Sequence, residues 1–242
     1  MGAYFCEDCV IKNGTYEGRT LGDLYKEAPD YFGTAEERRW EIIPVNMACM
    51  YACDNLSIQV HPREDWANEH LHAHGKSECW YFVDVDEPTF VILGHNAKTM
   101  EELKDYLAKK DYQGLLRTRP VDKDTFYAIK AGTVHAIQKG CTFIEICNPS
   151  PITYRFYDYD RLDKDGHMRQ LDTEKALENI LVPDDFIDYE PQVRVNGGLK
   201  ETFLADNNDY CAWKYEVDGE GVLSKKKPFA GAYVMEIGRA HV

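Results

Sequence analysis

The sequence has no apolar run approaching the ~20 residues that a helix needs to cross a bilayer, although 44% of its 242 residues are hydrophobic. Near its start there is no basic segment followed by an apolar stretch, so a secretory signal is not expected and a cytoplasmic location is. Positive charge is scarce. The chain carries 28 Lys and Arg against 42 Asp and Glu, for a net charge of −14. Such a surface disfavours nucleic acid and anionic membranes as partners, and any anionic small molecule would need a local basic pocket. Internal repeats and low-complexity tracts are missing too. Cys6 and Cys9 form a C-x-x-C pair, but no second pair completes a zinc ribbon. Without export, the eight cysteines are expected as thiols.

What is present is a series of short segments rich in Val, Ile, Phe and Tyr: "LSIQV", "ECWYFVDV", "TFVILGH", "DTFYAI", "TVHAI", "TFIEIC" and "TYRFYDY". Their tight spacing and Gly/Pro punctuation predict a mainly β fold, a sandwich or barrel, in place of a βαβ sheet. Helices are predicted at its flanks. "TLGDLYKEAPDYFG" begins at a Thr20 cap, "TMEELKDYLAKKDYQGLL" has Thr99 and Glu102 placed as a capping box, and "TEKALENILV" runs toward Pro183. After the weakly structured "YEPQVRVNGG", a second β set begins near residue 199 with "ETFLADNN", "YCAWKYEVDG" and "GAYVMEIG".

Polar groups sit inside several of these strands. In "LSIQVHP", Leu56, Ile58 and Val60 alternate with Ser57, Gln59 and His61, which gives one apolar face and one polar face. Glu78 shares a face with Trp80 and Phe82, and Glu145 shares one with Phe143. A carboxylate on an inward face costs several kcal/mol unless it is paired or metal-bound. Gln59, His61, Glu78 and His135 together offer one amide oxygen, two imidazoles and one carboxylate. That donor set suits Zn²⁺, and also Mn²⁺, Co²⁺ or Fe²⁺. The alternating histidines of "EHLHAHG" (His70, His72, His74) read as loop, with no metal role expected.

The stretches "LSIQVHP", "GKSECWYFVD", "ILGHNAKT", "AGTVHAI" and "TYRFYDYDRLD", with "NGTYEGRTLGDLYKEAPDYFG" before them, resemble the type I mannose-6-phosphate isomerases in their short bacterial form. The match runs in order from about residue 12 to residue 175. The resemblance implies a cupin (jelly-roll) core with flanking α-helices, one Zn²⁺ per chain, and interconversion of mannose 6-phosphate and fructose 6-phosphate. It places the zinc ligands on Gln59, His61, Glu78 and His135. It places an active-site lysine on Lys76, an arginine on Arg155, an acid near the metal on Glu145 and a hydroxyl near the phosphate on Ser57. The family's usual serine-aspartate before "TYR" is Ser150–Pro151 here. A non-catalytic cupin that senses a sugar phosphate or a metal would need many of the same groups, and so stands as the competing reading.

The resemblance also implies a layout. Residues 1–198 would be the catalytic metal-binding domain, lacking some of the family's N-terminal strands. Residues 199–242 would be part of a second β domain. The final "IGRAHV" (237–242) matches one reading frame of a common sequencing adapter and is expected to be an artefactual tail.

Overall fold

Strands that carry apolar residues on both faces build sheets that can be packed on two sides, and two such sheets organise the molecule. The structure is a computed structural model that describes residues 8–32, 41–162, 164–186, 190–206 and 210–219. The strands of the first sheet are β1 (Asn46–Tyr51), β3 (Glu78–Val85), β6 (Phe126–Ile129) and β8 (Cys141–Cys147), in the order β1-β8-β3-β6. Those of the second are β2 (Ile58–Val60), β4 (Thr89–His95), β5 (Leu116–Val121), β7 (His135–Ile137) and β9 (Tyr154–Tyr157), in the order β5-β4-β7-β2-β9. Every pairing within these two sheets is antiparallel.

Three apolar clusters show which face of each sheet is covered. Trp80, Phe82, Ile129 and Phe143 from the first sheet pack with Val91, Leu93, Val121 and Ile137 from the second, which makes this the interior between the sheets. The outer face of the second sheet presents Ile58, Val60, Ile92, Ala136, Tyr154 and Phe156. It is closed by residues from α2 (Glu64–Leu71), α3 (Met100–Ala108), the single turn α4 (Tyr112–Leu115) and α5 (Thr173–Asn179). Leu103 of α3 and Ala176 of α5 are fully buried there. On the outer face of the first sheet, Cys79, Tyr81, Phe126, Ala128 and Ile146 pack with Leu204, Ala205, Tyr210 and Ala212. Leu204 and Ala205 come from β11 (Leu199–Asp206), Ala212 from β12 (Cys211–Val217), and Tyr210 directly precedes β12; with β10 (Gln192–Asn196) the two strands form a three-stranded sheet.

The chain divides into two compact units. One comprises residues 45–194 and 201–214 and contains both large sheets; the other takes in 1–44, 195–200 and 215–242. In the second unit, α1 (Leu21–Glu27) starts at the cap expected at Thr20, which proves to be a full capping box: Thr20 Oγ1 accepts from the Asp23 amide at 3.0 Å, and the Asp23 side chain accepts from the Thr20 amide. That helix stops earlier than expected. It ends at Glu27 with Ala28 as its cap, and a 3-10 turn, Pro29–Phe32, follows because Pro29 biases the preceding residue away from helix.

Other differences from expectation follow the same logic. "TMEELKDYLAKKDYQGLL" is not one helix: α3 ends at Ala108, Lys110 takes a left-handed φ of 53°, and β5 starts at Leu116. "EHLHAHG" is not all loop, because Glu69, His70 and Leu71 close α2 and His72 caps it with φ 50°. "VRV" within the supposedly weak stretch belongs to β10. Cys6, "GAYVMEIG" and the tail 237–242 lie outside the described residues.

Two glycines are required by close approach. A Cβ on Gly75 would meet the Glu64 nitrogen at 2.6 Å and the Pro62 oxygen at 2.8 Å. Gly132 has φ +87°, and a Cβ there would lie 2.8 Å from the Asn179 carbonyl. Its amide donates to the His61 carbonyl at 3.0 Å, which ties the β7 approach to the end of β2.

Candidate active site and metal centre

Strand register brings distant residues together. Gln59 pairs with His135 on one side and with Arg155 on the other. Directly opposed residues point the same way. Their neighbours Ile58, Val60, Ala136, Tyr154 and Phe156 face outward, so Gln59, His135 and Arg155 form an inward row. On the facing sheet Glu78 lies opposite Cys147, and Trp80 opposite Glu145.

The two rows meet at Glu78. His61 Nε2 is 3.0 Å from Glu78 Oε2, and His135 Nε2 is 3.5 Å from Glu78 Oε1. The ligand atoms of this trio lie within 4.8 Å of one another, and all three residues are buried. Gln59 Nε2 approaches His135 Nε2 at 3.3 Å, while Ser57 Oγ donates to Gln59 Oε1 at 3.3 Å. Lys76 Nζ reaches Glu78 Oε2 at 3.1 Å and Glu145 Oε1 at 3.7 Å.

Two backbone carbonyls set the imidazole tautomers. His61 Nδ1 is 2.9 Å from the Ile152 carbonyl, and His135 Nδ1 is 2.8 Å from the Thr133 carbonyl. A carbonyl only accepts, so each Nδ1 carries the proton and each Nε2 turns a lone pair inward. Thr153 Oγ1, 3.5 Å from His61 Nδ1, lies beside the first of these contacts.

The electrostatics follow. Burial, and then the charge of Lys76, depress His61 to about 4; burial also lowers His135. Both rings are therefore neutral at physiological pH. Burial alone would raise Glu78, but the charge of Lys76 outweighs it and holds the carboxyl well below the usual range. Lys76 is raised, because Glu78 and Glu145 overcome the burial that would lower it. Glu145 moves the other way: burial and the neighbouring Glu78 raise it against the pull of Lys76. Burial likewise raises the Cys147 thiol, which stays protonated.

The result is two bare imidazole nitrogens aimed at an ionised carboxylate. Three electron-rich atoms converging in a buried site call for a cation between them. A neutral histidine pair, a carboxylate and an adjacent amide fit a divalent metal of the borderline class.

The structure thus brings every sequence-predicted site residue to one place. Gln59, His61, Glu78 and His135 converge, Lys76 bridges Glu78 and Glu145, Ser57 bonds Gln59, and Arg155 stands beside Gln59 in the sheet. The histidines of "EHLHAHG" are elsewhere: His70 stacks on Trp66 at 4.6 Å, and His74 Nδ1 pairs with Glu64 at 2.9 Å. Sequence reasoning missed the carbonyls of Thr133 and Ile152, since backbone acceptors leave no mark on residue type. It also missed Trp80 as a neighbour of the site: its ring lies edge-on to that of His135, 5.6 Å away.

Similarity to known proteins agrees with this geometry. The chain is 36% identical over 228 residues to the mannose-6-phosphate isomerase ManA of Bacillus subtilis, covering 94% of this chain and 71% of that one. It is 35% identical over 220 residues to the mannose-6-phosphate isomerase of Streptococcus mutans, covering 91% and 68%. The chain belongs to the mannose-6-phosphate isomerase family. A crystal structure of mannose 6-phosphate isomerase from Bacillus subtilis superposes with a TM-score of 0.81 at 32% identity, over 87% of this chain and 66% of that one. The chain therefore spans about two thirds of the length of the relatives it matches. No family model matches it. The two-sheet core with flanking helices is the cupin fold of this isomerase family, as the sequence resemblance implied.

Proposed function

We propose that this chain interconverts mannose 6-phosphate and fructose 6-phosphate, the reaction for which its relatives are named, with one Zn²⁺ held by Gln59, His61, Glu78 and His135. The observation that carries the reading is the convergence of two Nε2 lone pairs on Glu78. The amide of Gln59 presents either end by a half-turn of its last torsion, so its oxygen can join the set. When bound, the metal supplies Lewis acidity toward a substrate oxygen.

The remaining chemistry belongs to side chains. Isomerisation moves a proton between C1 and C2 through a cis-enediol and places negative charge on oxygen. Glu145, raised by burial and by Glu78, is the base that takes the proton from one carbon and returns it to the other. Lys76, fixed between Glu78 and Glu145, stabilises the charge that develops on the substrate oxygens. Arg155 has a buried Nε with no hydrogen-bond partner among the described residues, which leaves it for an anionic ligand. With Ser57 and Lys76 it forms the local basic pocket that a net charge of −14 makes necessary. Binding the phosphate orients the reacting end.

The same proposal assigns residues 1–198 to the catalytic domain and 199–242 to part of a second β domain. It places the protein in the cytoplasm and excludes nucleic acid as a partner. Among the described residues no helix is long and apolar enough to cross a membrane. The test is a coupled assay for fructose 6-phosphate formed from mannose 6-phosphate, run with and without a chelator. Turnover that the chelator abolishes and Zn²⁺ restores is expected. Sugar-phosphate binding without turnover would favour a non-catalytic cupin instead.

A further inference from the structure

Glu145 needs its carboxylate held at a fixed angle if it is to serve two adjacent carbons, and its neighbours in the sheet supply little. On β8 it is flanked by Ala48 of β1 and by Trp80 of β3. Ala48 has no polar side-chain atom, and the Trp80 Nε1 group makes no hydrogen bond among the described residues. The contacts to Glu145 Oε1 come from Lys76 Nζ at 3.7 Å and from Cys147 Sγ at 3.4 Å. Lys76 is shared, because its shorter contact goes to Glu78 Oε2 at 3.1 Å.

Cys147 is not a generic buried thiol. It follows Glu145 by two residues on the same face of β8 and lies directly opposite Glu78. It is buried at 5% exposure. The thiol of Cys141, at the other end of β8, donates instead to the Gln138 carbonyl at 3.2 Å. An ionised carboxylate only accepts, so the Cys147 S–H is the donor in its contact with Glu145.

We propose that Cys147 is a positioning residue for this isomerase: its thiol donates to Glu145 Oε1 and fixes the carboxylate that moves the proton. A neutral donor suits this place. It orients the carboxylate without adding a second positive charge beside Lys76, which would weaken Glu145 as a base. The inference rests on the reading of Glu145 as the base.

The test combines kinetics with infrared difference spectroscopy on the full chain. Cys147→Ala is expected to lower kcat roughly tenfold, in the range found when outer partners of a site are removed, with KM and bound metal unchanged. Cys147→Ser, which keeps a donor at the same place, is expected to return most of that loss. The S–H stretching band that disappears in Cys147→Ala is expected to shift when Glu145→Gln is introduced into the wild-type chain. A band that does not move, or a Cys147→Ala enzyme with unaltered kcat, overturns the proposal. Loss of kcat in Cys147→Ser equal to that in Cys147→Ala overturns it as well, since only volume would then matter. If Glu145→Gln keeps its turnover, the base assignment fails at its source, and a shifted band would then report a structural contact only.

Discussion

The interior between the two sheets has two ends built from the same strands, and they differ completely in chemistry. β3 contributes Glu78 to one end and Phe82 to the other; β7 contributes His135 and then Ile137; β8 contributes Phe143 and then Glu145. Two residues along a strand is one step on the same face, so β7 and β8 change from packing to chemistry within about 7 Å and β3 within about 13 Å. The apolar end needs only close packing. The polar end gathers Glu78 and two neutral histidines that solvent scarcely reaches, with the half-buried Lys76 and Glu145 beside them. Stability and activity should therefore separate under mutation, although both ends share a backbone.

The sharpest break in that comparison is expected at Glu78. Glu78→Ala removes the carboxylate on which both imidazoles converge and leaves Lys76 without its shorter partner, so metal and turnover should vanish together; metal analysis and the coupled assay check this. Glu145→Gln should keep the metal and the fold while kcat falls by about 10²–10⁴, the usual worth of a general base. At the apolar end, Phe143→Ala should cost about 3–5 kcal/mol of unfolding free energy, read by urea denaturation, with metal binding retained wherever the protein is folded.

A pH experiment sharpens the contrast. In metal-free protein His61 sits at about 4, below its ordinary 6.5 in the unfolded chain. The unfolded state then binds the extra proton, so stability is complete above pH 6.5 and is lost as pH falls toward 4, by about 3 kcal/mol at most. The depressed Glu78 acts in the same direction. His61→Leu should flatten the slope, as measured by urea unfolding at several pH values, whereas Phe143→Ala should shift the whole curve without changing its shape. The smallest effect is expected from Thr153→Val, which removes a hydroxyl beside a contact that the Ile152 carbonyl already makes. A loss of less than about tenfold in metal affinity, at the low end for an outer partner, would be seen by competition with a chelator.

Much of this was legible in the sequence where both faces of a strand are buried. β3 and β4 begin and end where their apolar runs do, because those runs pack on two sides. β1 and β5 were not anticipated. Each is an edge strand, and "NMACMY" and "LRTRPV" carry exposed and polar positions with few of the residues that announce a strand. Helix α2 escaped notice because only Trp66 and Ala67 of its eight residues are buried, too few to set a period. In the site, Gln59 and His61 drew attention as polar residues on one face of an otherwise apolar strand. That Gln59 faces both His135 and Arg155 depends on register, which no single segment encodes. The Cys147–Glu145 contact was hidden for the same reason: its meaning comes from what lies across from it on β3.

The central claim is that Gln59 of β2, His61 just after it, Glu78 of β3 and His135 of β7 hold one divalent ion. Elemental analysis of the wild-type chain and of His135→Ala, each purified without added metal chelators, tests it most directly. The account predicts one zinc per wild-type chain and none in the variant. Full zinc occupancy in folded His135→Ala, or a wild-type chain that binds no divalent metal even when it is supplied, would contradict it.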